Sequence, residues 1–348
     1  VRNKAINPAL AEGAPGPFRR ARALALAPVV WVLWVILMAT GNHWGLFEDN
    51  WFMTATMCVG SFIAGATSEG GGAVAFPVMT LIFGIEPAVA RDFSLMIQSA
   101  GMTAASLTII LLRIRVEWRA IAFASIGGAI GIIIGIELIA PLMSPPFVKM
   151  FFTSLWLSFG LTLYWLNKHA DRKVHLQISS FGPQHACMLI VIGLAGGIVS
   201  GLTGSGIDIL TFTLLTLFFR LSEKISTPTS VILMALNAVV GFAWSGGIRH
   251  QLDPQAWDYF YVCIPVVVVG APLGAWFINS RTRRFIAGLL VLSIAVQFGC
   301  SLAIIDQSPQ LLAFSTATMV GGFLLFAVLM RAGTKRAVGL EVHSRADP

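Results

Sequence analysis

The sequence predicts an all-α polytopic membrane protein: two inverted-topology repeats, each a broken-helix hairpin plus three transmembrane helices, with one extra helix at each end. Three observations carry that prediction. The composition is too apolar for water, many segments match the thickness of a bilayer, and the chain corresponds to itself at an offset of 136 residues. Of its 348 residues, 56% are hydrophobic and 11% charged, against about 45–50% and roughly 25% in soluble domains. A water-soluble globular protein is excluded.

A spanning helix needs about 20 mostly apolar residues. In chain order, residues 1–22 read as a polar cytoplasmic tail, and 23–40 as the extra N-terminal span, followed by an outer loop to 50. Trp31 and Trp34 and the lack of a small-x-small site favour a span over a cleaved signal peptide. Repeat 1 covers 51–166, with spans at 93–112, 119–140 and 147–166, and a cytoplasmic linker fills 167–185. Repeat 2 covers 186–304, with spans at 227–247, 257–278 and 285–304. The last span, 311–330, lies in the closing segment 305–348 with a second cytoplasmic tail.

Two stretches, 51–84 and 186–219, are too long for one crossing. Small and polar residues interrupt each: Thr67-Ser68-Glu69-Gly70-Gly71-Gly72 in the first and Thr203-Gly204-Ser205-Gly206-Ile207-Asp208 in the second. Each is one broken crossing or a hairpin returning to its starting side, and the positive-inside rule separates the two. With hairpins, 20 of the 23 Lys and Arg fall inside, leaving Arg91, Lys149 and Arg249 outside; with single crossings the split is 16 to 7. The hairpin arrangement is preferred, with both termini cytoplasmic. The same placement disposes of nucleic acid as the reason for the excess of 23 basic over 16 acidic residues.

At the offset of 136, Gly60, Gly65, Thr67, Gly70, Phe76, Thr80, Leu81, Phe83 and Ser94 match Gly196, Gly201, Thr203, Gly206, Phe212, Thr216, Leu217, Phe219 and Ser230. A hairpin plus three spans makes an odd number of crossings, so the second copy is expected upside down. Inverted repeats with paired interrupted helices point to a secondary transporter whose substrate lies near the midplane where the breaks meet. In hydrocarbon an unpaired N–H or C=O costs several kcal/mol, so a break is tolerated only inside protein or a wet cavity. A helix restarting there aims N–H groups and its positive dipole end at the gap, which favours a small anion.

The candidate substrate-binding residues are Ser68, Glu69, Gly70, Gly71, Gln98, Thr203, Gly204, Ser205 and Asn237. Ser94, Gln98, Gly101 and Ala105 share one helix face, and Ser230, Asn237 and Gly241 take corresponding places in the second half. Gln98 and Asn237 have a plainer reading as hydrogen bonds between helices. Glu69 and Asp208 are the candidates for proton coupling, since an ionisable group at that depth is functional by default; the plainer reading is a carboxylate capping N–H groups where a helix restarts. Glu137 is expected near the interface. The series Gly127, Gly131, Gly135 and Gly193, Gly197, Gly201, with Gly270 and Gly274, has the spacing of close helix packing.

No metal and no cofactor are expected. Cys58, Cys187, Cys263 and Cys300 lie singly in apolar stretches, and the six histidines fall in or beside polar connections. The glycine runs lack a Walker lysine and a βαβ unit, which argues against ATP-driven transport. An enzyme would need a nucleophile, base and orienting group at recognisable spacing, and none is present. An anion channel of the same architecture remains a rival. The expected partners are a small anion and the bilayer, not nucleic acid, and a homodimer is the assembly considered.

The motif Gly70-Gly71-Gly72-Ala73-Val74-Ala75-Phe76-Pro77, then Gly84 and Ala90, and its echo Gly197-Ile198-Val199-Ser200-Gly201-Leu202-Thr203-Gly204-Ser205-Gly206, resemble the TauE/SafE sulfite exporter family over about 51–304. The resemblance implies a secondary carrier of sulfite, of organosulfonates such as sulfoacetate, or of related small oxoanions and carboxylates, often exported, in a bacterial inner membrane. The family's site residues would map onto the nine substrate-binding candidates named above. Glu69 and Asp208 depart from the pattern, which expects small or apolar residues there.

Overall fold

The computed structural model describes residues 26–67, 75–168, 174–179 and 181–346. Among them the chain is helical throughout, with one isolated bridge between His175 and Leu221. The helices are α1 Leu26–Thr40, α2 Leu46–Ala66, α3 Pro87–Leu111, α4 Trp118–Ile134, α5 Pro145–Lys168, α6 Pro183–Thr203, α7 Ile207–Thr213, α8 Glu223–Phe242, α9 Pro254–Asn279, α10 Arg283–Ile304 and α11 Pro309–Ala346.

Eight helical segments among the described residues are long and apolar enough to span, and α1 with α2 forms a further pair bent through 107°. The protein is therefore a multi-pass membrane protein. Several spans start earlier than hydropathy alone places them, because proline sits at the first helical turn of α3 and α9, where its missing N–H costs nothing. The described part of α1 has 15 residues, about 22 Å of rise, which falls short of the ~30 Å hydrocarbon core.

The stretch 186–219 is a hairpin. A Cβ on Gly196 would lie 2.6 Å from Ile207 Cα, so the chain doubles back beside the helix it has just left. Its two ends also meet: the His175 N–H donates to Arg220 O at 2.9 Å, and the Ser222 N–H to His175 O at 3.1 Å. The stretch 51–84 closes in the same way, with the rings of Phe52 and Phe83 4.2 Å apart.

The two hairpins end in the same local geometry 136 residues apart. Each returning arm finishes in a π-turn, Val78–Ile82 and Leu214–Phe218. The Phe83 N–H donates to Val78 O at 3.2 Å and the Ile85 N–H to Met79 O at 2.9 Å; the Phe219 N–H donates to Leu214 O at 3.1 Å and the Leu221 N–H to Leu215 O at 2.9 Å. Thr80 and Thr216 donate to Phe76 O and Phe212 O, each at 2.8 Å. The turn then needs one left-handed residue, which is Gly84 at φ 66° in the first half and Arg220 at φ 54° in the second.

The halves are interleaved. Helix α4 packs on α6 and α9 on α2, both by backbone contact through small residues. A Cβ on Gly131 would overlap Leu194 O, one on Gly197 would overlap Gly128 O, and one on Gly65 would overlap Ala271 O. Helix α5 stands between the hairpins and carries much of the aromatic core: Phe152 meets Phe76 at 5.2 Å and Phe159 meets Phe212 at 5.9 Å. Trp44, Trp51 and Trp118 are exposed near helix ends, the usual place for interfacial tryptophans.

Candidate functional site

The described break, between α6 and α7, is built around Gly204. This residue caps α6 at φ 82°, in the left-handed region that strains any residue with a Cβ. A Cβ there would also overlap Ser94 Cβ and lie 3.1 Å from Arg91 O. Only glycine lets the break press onto α3.

Most polar groups of the break find a partner nearby, as burial requires. Thr203 Oγ1 donates to Val199 O at 3.1 Å or Ser205 O at 2.8 Å. Ser205 Oγ donates to Asp208 Oδ2 at 2.7 Å, and the Ile207 N–H donates to Ser200 Oγ at 3.1 Å. The Gly204 carbonyl is satisfied from the other half of the chain, by Gln98 Nε2 at 2.9 Å. A flipped amide would set oxygen against oxygen, so this bond fixes Gln98 with its Oε1 turned away from the Gly204 carbonyl. Gln98 lies near the middle of the 25-residue α3, a candidate span, so the break sits beside the centre of that helix.

Of the sequence candidates, Gln98, Thr203, Gly204, Ser205 and Asp208 come together here. Asn237 reaches the same neighbourhood from α8: a Cβ on Gly128 would lie 2.9 Å from Asn237 Oδ1 and would overlap the Ile207 side chain. Ser68, Glu69, Gly70 and Gly71 lie outside the described residues. The bordering Thr67 ends α2 in extended backbone, at φ −130° and ψ 172°.

Four buried oxygens around the second break have no hydrogen-bond partner: Ser94 Oγ, Gln98 Oε1, Asp208 Oδ1 and Asn237 Oδ1. They are the groups left to engage something other than the protein. Thr203 and Ser205 commit their hydroxyl protons internally, so they can offer a ligand only lone pairs. Ser94 keeps its proton available. Asp208 is the second residue of α7, where a helix dipole favours a carboxylate. The arrangement can hold a small solute by hydrogen bonds and can take up a proton at the free carboxylate oxygen.

The sequence motifs, the paired helix interruptions and a break pinned across the two halves can now be set beside known families. The family model of the sulfite exporter TauE/SafE matches residues 52–298. The chain belongs to the TauE/SafE family. The match spans both interrupted stretches and leaves α1 and α11 outside. TauE/SafE proteins are membrane transporters by family description. No curated protein and no solved structure matches this chain.

Two residues at this break in the TauE/SafE chain escaped the list of sequence candidates. Ser200 anchors the restarted helix, but its partner at the offset of 136 is Ala64, so the repeat gave no signal. Ser94 was visible on the polar stripe of α3, and what singles it out is its contact with Gly204. Glu137, late in its span, accepts from Trp244 Nε1 at 2.8 Å and pairs with Arg249 at 3.3 Å.

Proposed function

We propose that the protein is a secondary carrier that exports a small anion of the sulfite, sulfoacetate or organosulfonate class from a bacterial cytoplasm, with both termini on the cytoplasmic side of the inner membrane. The observation that carries this reading is the bond from Gln98 of the first half to the Gly204 carbonyl in the second break. It puts the break at the seam between halves, where a relative movement would remake the site.

In this reading the halves are inverted repeats that rock about the paired breaks, exposing the site to one side and then the other. The elements that recur 136 residues apart support it, as does the odd number of crossings in a hairpin plus three spans. The anion sits between the two restarted helices, facing the first break, with Ser68, Gly70, Gly71 and backbone N–H groups as donors and Ser94 and Asn237 on the flanks. Thr203 and Ser205 shape the floor. Asp208, with Glu69, is the proton-coupling group: protonation removes a negative charge that would otherwise repel the substrate. A membrane potential negative inside adds about 2.3 kcal/mol per charge per 100 mV in favour of anion export.

The test is a thermal-shift panel on detergent-purified protein with sulfite, thiosulfate, sulfoacetate, isethionate, taurine, sulfate, oxalate and lactate. A ligand at 100 times its Kd adds about 2.7 kcal/mol to the folded state. One sulfonate or sulfite is expected to raise Tm, and Ser94→Ala or Asn237→Ala is expected to abolish the shift. A shift by oxalate or lactate alone would make the protein a small-carboxylate permease. Saturable counterflow in liposomes separates a carrier from a channel.

A further inference from the structure

Helix α3 carries a charged group on the face that meets the second break. Arg91 stands one turn before Ser94 and two before Gln98, so the three share that face. The Arg91 carbonyl lies against the break itself, 3.1 Å from a Cβ placed on Gly204. Its guanidinium is nevertheless turned aside. Nε and Nη2 donate to Asp92 Oδ1 at 2.9 and 2.7 Å, although sequence neighbours do not face each other on a helix. Arg91 must bend around α3 to reach the next residue.

Both nitrogens crowd a single carboxylate oxygen. A guanidinium fork is matched best by two oxygens side by side, but the second oxygen of Asp92 accepts from the Asp253 N–H at 3.4 Å, long for such a bond. Asp253 precedes α9 in the other half, so the Arg91–Asp92 pair joins the halves at the Pro87 end of α3. The two side chains are only 15% and 4% exposed. A charged pair withheld from water on a candidate span is where function is expected.

The other half does the structural part of this work without a charge. At the offset of 136, Asp253 corresponds to Glu117 and Arg91 to Thr227. The Glu117 N–H donates to Thr229 Oγ1 on α8 at 2.9 Å, one residue beyond the place of Asp92. A hydroxyl therefore suffices to tie a connecting segment to the facing half, and the fold does not require an arginine and an aspartate there. What a guanidinium adds, one turn from the break, is a second station for an anion.

We propose that Arg91 is the gate residue through which the anion leaves the Gly204 break: Asp92 holds the guanidinium across the way, and on release the fork exchanges one carboxylate oxygen for two oxygens of a sulfite or sulfonate. This rests on the carrier reading above and names the residue that controls exit, at the outer end in the orientation proposed there. The exchange replaces one anion by another, so Arg91 is never left unpaired, while Asp92 keeps the Asp253 N–H. The fork also favours an anion that presents paired oxygens over a single-atom anion such as chloride.

The experiment reads access to Ser94, one turn deeper than Arg91. Ser94→Cys is introduced into the full-length protein with its four native cysteines replaced by serine. Labelling rates are measured with two membrane-impermeant methanethiosulfonates, one ending in a sulfonate and one in a trimethylammonium, in spheroplasts and in inverted membrane vesicles. With Arg91 and Asp92 in place, labelling in spheroplasts should be slow with both reagents. Asp92→Asn frees the guanidinium and should favour the sulfonate reagent about ten-fold, the worth of one charged hydrogen bond. Arg91→Gln should admit both reagents and abolish that preference, which loss of a merely structural ion pair would not do. In inverted vesicles the preference should not depend on Arg91. A sulfonate-to-ammonium ratio that Arg91→Gln leaves unmoved, or that shifts equally from both faces, overturns the proposal. If Arg91→Gln fails to fold, Arg91→Lys keeps the charge and loses the fork, and should raise the half-saturating sulfite concentration for counterflow at the outer face about ten-fold; an unchanged value overturns the proposal. Absence of sulfite or sulfonate counterflow by the unmodified protein would remove the carrier reading and this proposal with it, whereas counterflow with an unmoved labelling ratio removes only the role of Arg91.

Discussion

The side-chain nitrogen of Gln98 lies 2.9 Å from the carbonyl oxygen of Gly204, so a helix of the first half supplies the hydrogen bond that the interrupted helix of the second half cannot make for itself. Replacing Gln98 by leucine keeps the volume and leaves a buried carbonyl unpaired, which costs about 1–3 kcal/mol. Gln98→Leu should lower Tm in detergent accordingly, and an unchanged Tm would mean that this bond does not hold the break.

Close approach of α4 and α6 makes a second, sharper contrast. Gly131→Ala would drive a methyl group into the Leu194 carbonyl, whereas a Cβ on Gly288 meets nothing within 4 Å. The first substitution should cost about 1–3 kcal/mol through overpacking. Gly288→Ala should instead gain about 0.5–1 kcal/mol by removing a flexible residue from a helix. Thermal unfolding of the two variants side by side tests the packing directly; equal effects would refute it.

Arg220 holds at φ 54° the place that Gly84 holds at φ 66° in the other half. A side chain there costs about 1–2 kcal/mol, offset in part by the extra chain entropy that glycine loses on folding. Arg220→Gly should therefore raise stability by roughly 0.5–1 kcal/mol, visible as a higher Tm. A lower Tm would show that the arginine side chain makes a contact worth more than the strain.

Asp208 keeps one carboxylate oxygen without a partner, which is where a transported proton would sit. Asparagine there imitates the protonated form at every pH. Asp208→Asn should thus flatten the pH profile of transport in proteoliposomes while leaving substrate-induced thermal shifts in place, and Glu69→Gln is the parallel test at the first break. A pH profile unchanged in both variants removes the coupling role from these acids.

Much of the membrane architecture was legible because hydropathy and glycine spacing are local signals. The glycine ladder on α4 and α6 was readable from its four-residue period, and the backbone contacts of Gly131 and Gly197 follow from it. What the spacing could not reveal is the partner: nothing in the sequence says that α4 packs on α6 rather than on its neighbour α3. Helix starts were missed by up to six residues, as at Pro87, because a charged pair such as Arg91-Asp92 near the start of the helix depresses hydropathy while the helix runs on through it. At the site, the repeat led to Thr203 and Gly206, but the hydroxyl directions that leave Ser94 available and occupy Thr203 and Ser205 depend on three-dimensional contacts.

The packing of α2 on α9 has a consequence for how the chain is made. Gly65 waits for Ala271, which leaves the ribosome some 200 residues later, or roughly 10–40 seconds at ordinary rates of synthesis. Throughout that interval the first hairpin must stay in the bilayer with its glycine face bare. The nascent protein is therefore most vulnerable after its first half is inserted and before α9 arrives, and a chain arrested near residue 250 should be a substrate for membrane proteases even though every helix up to that point is in place.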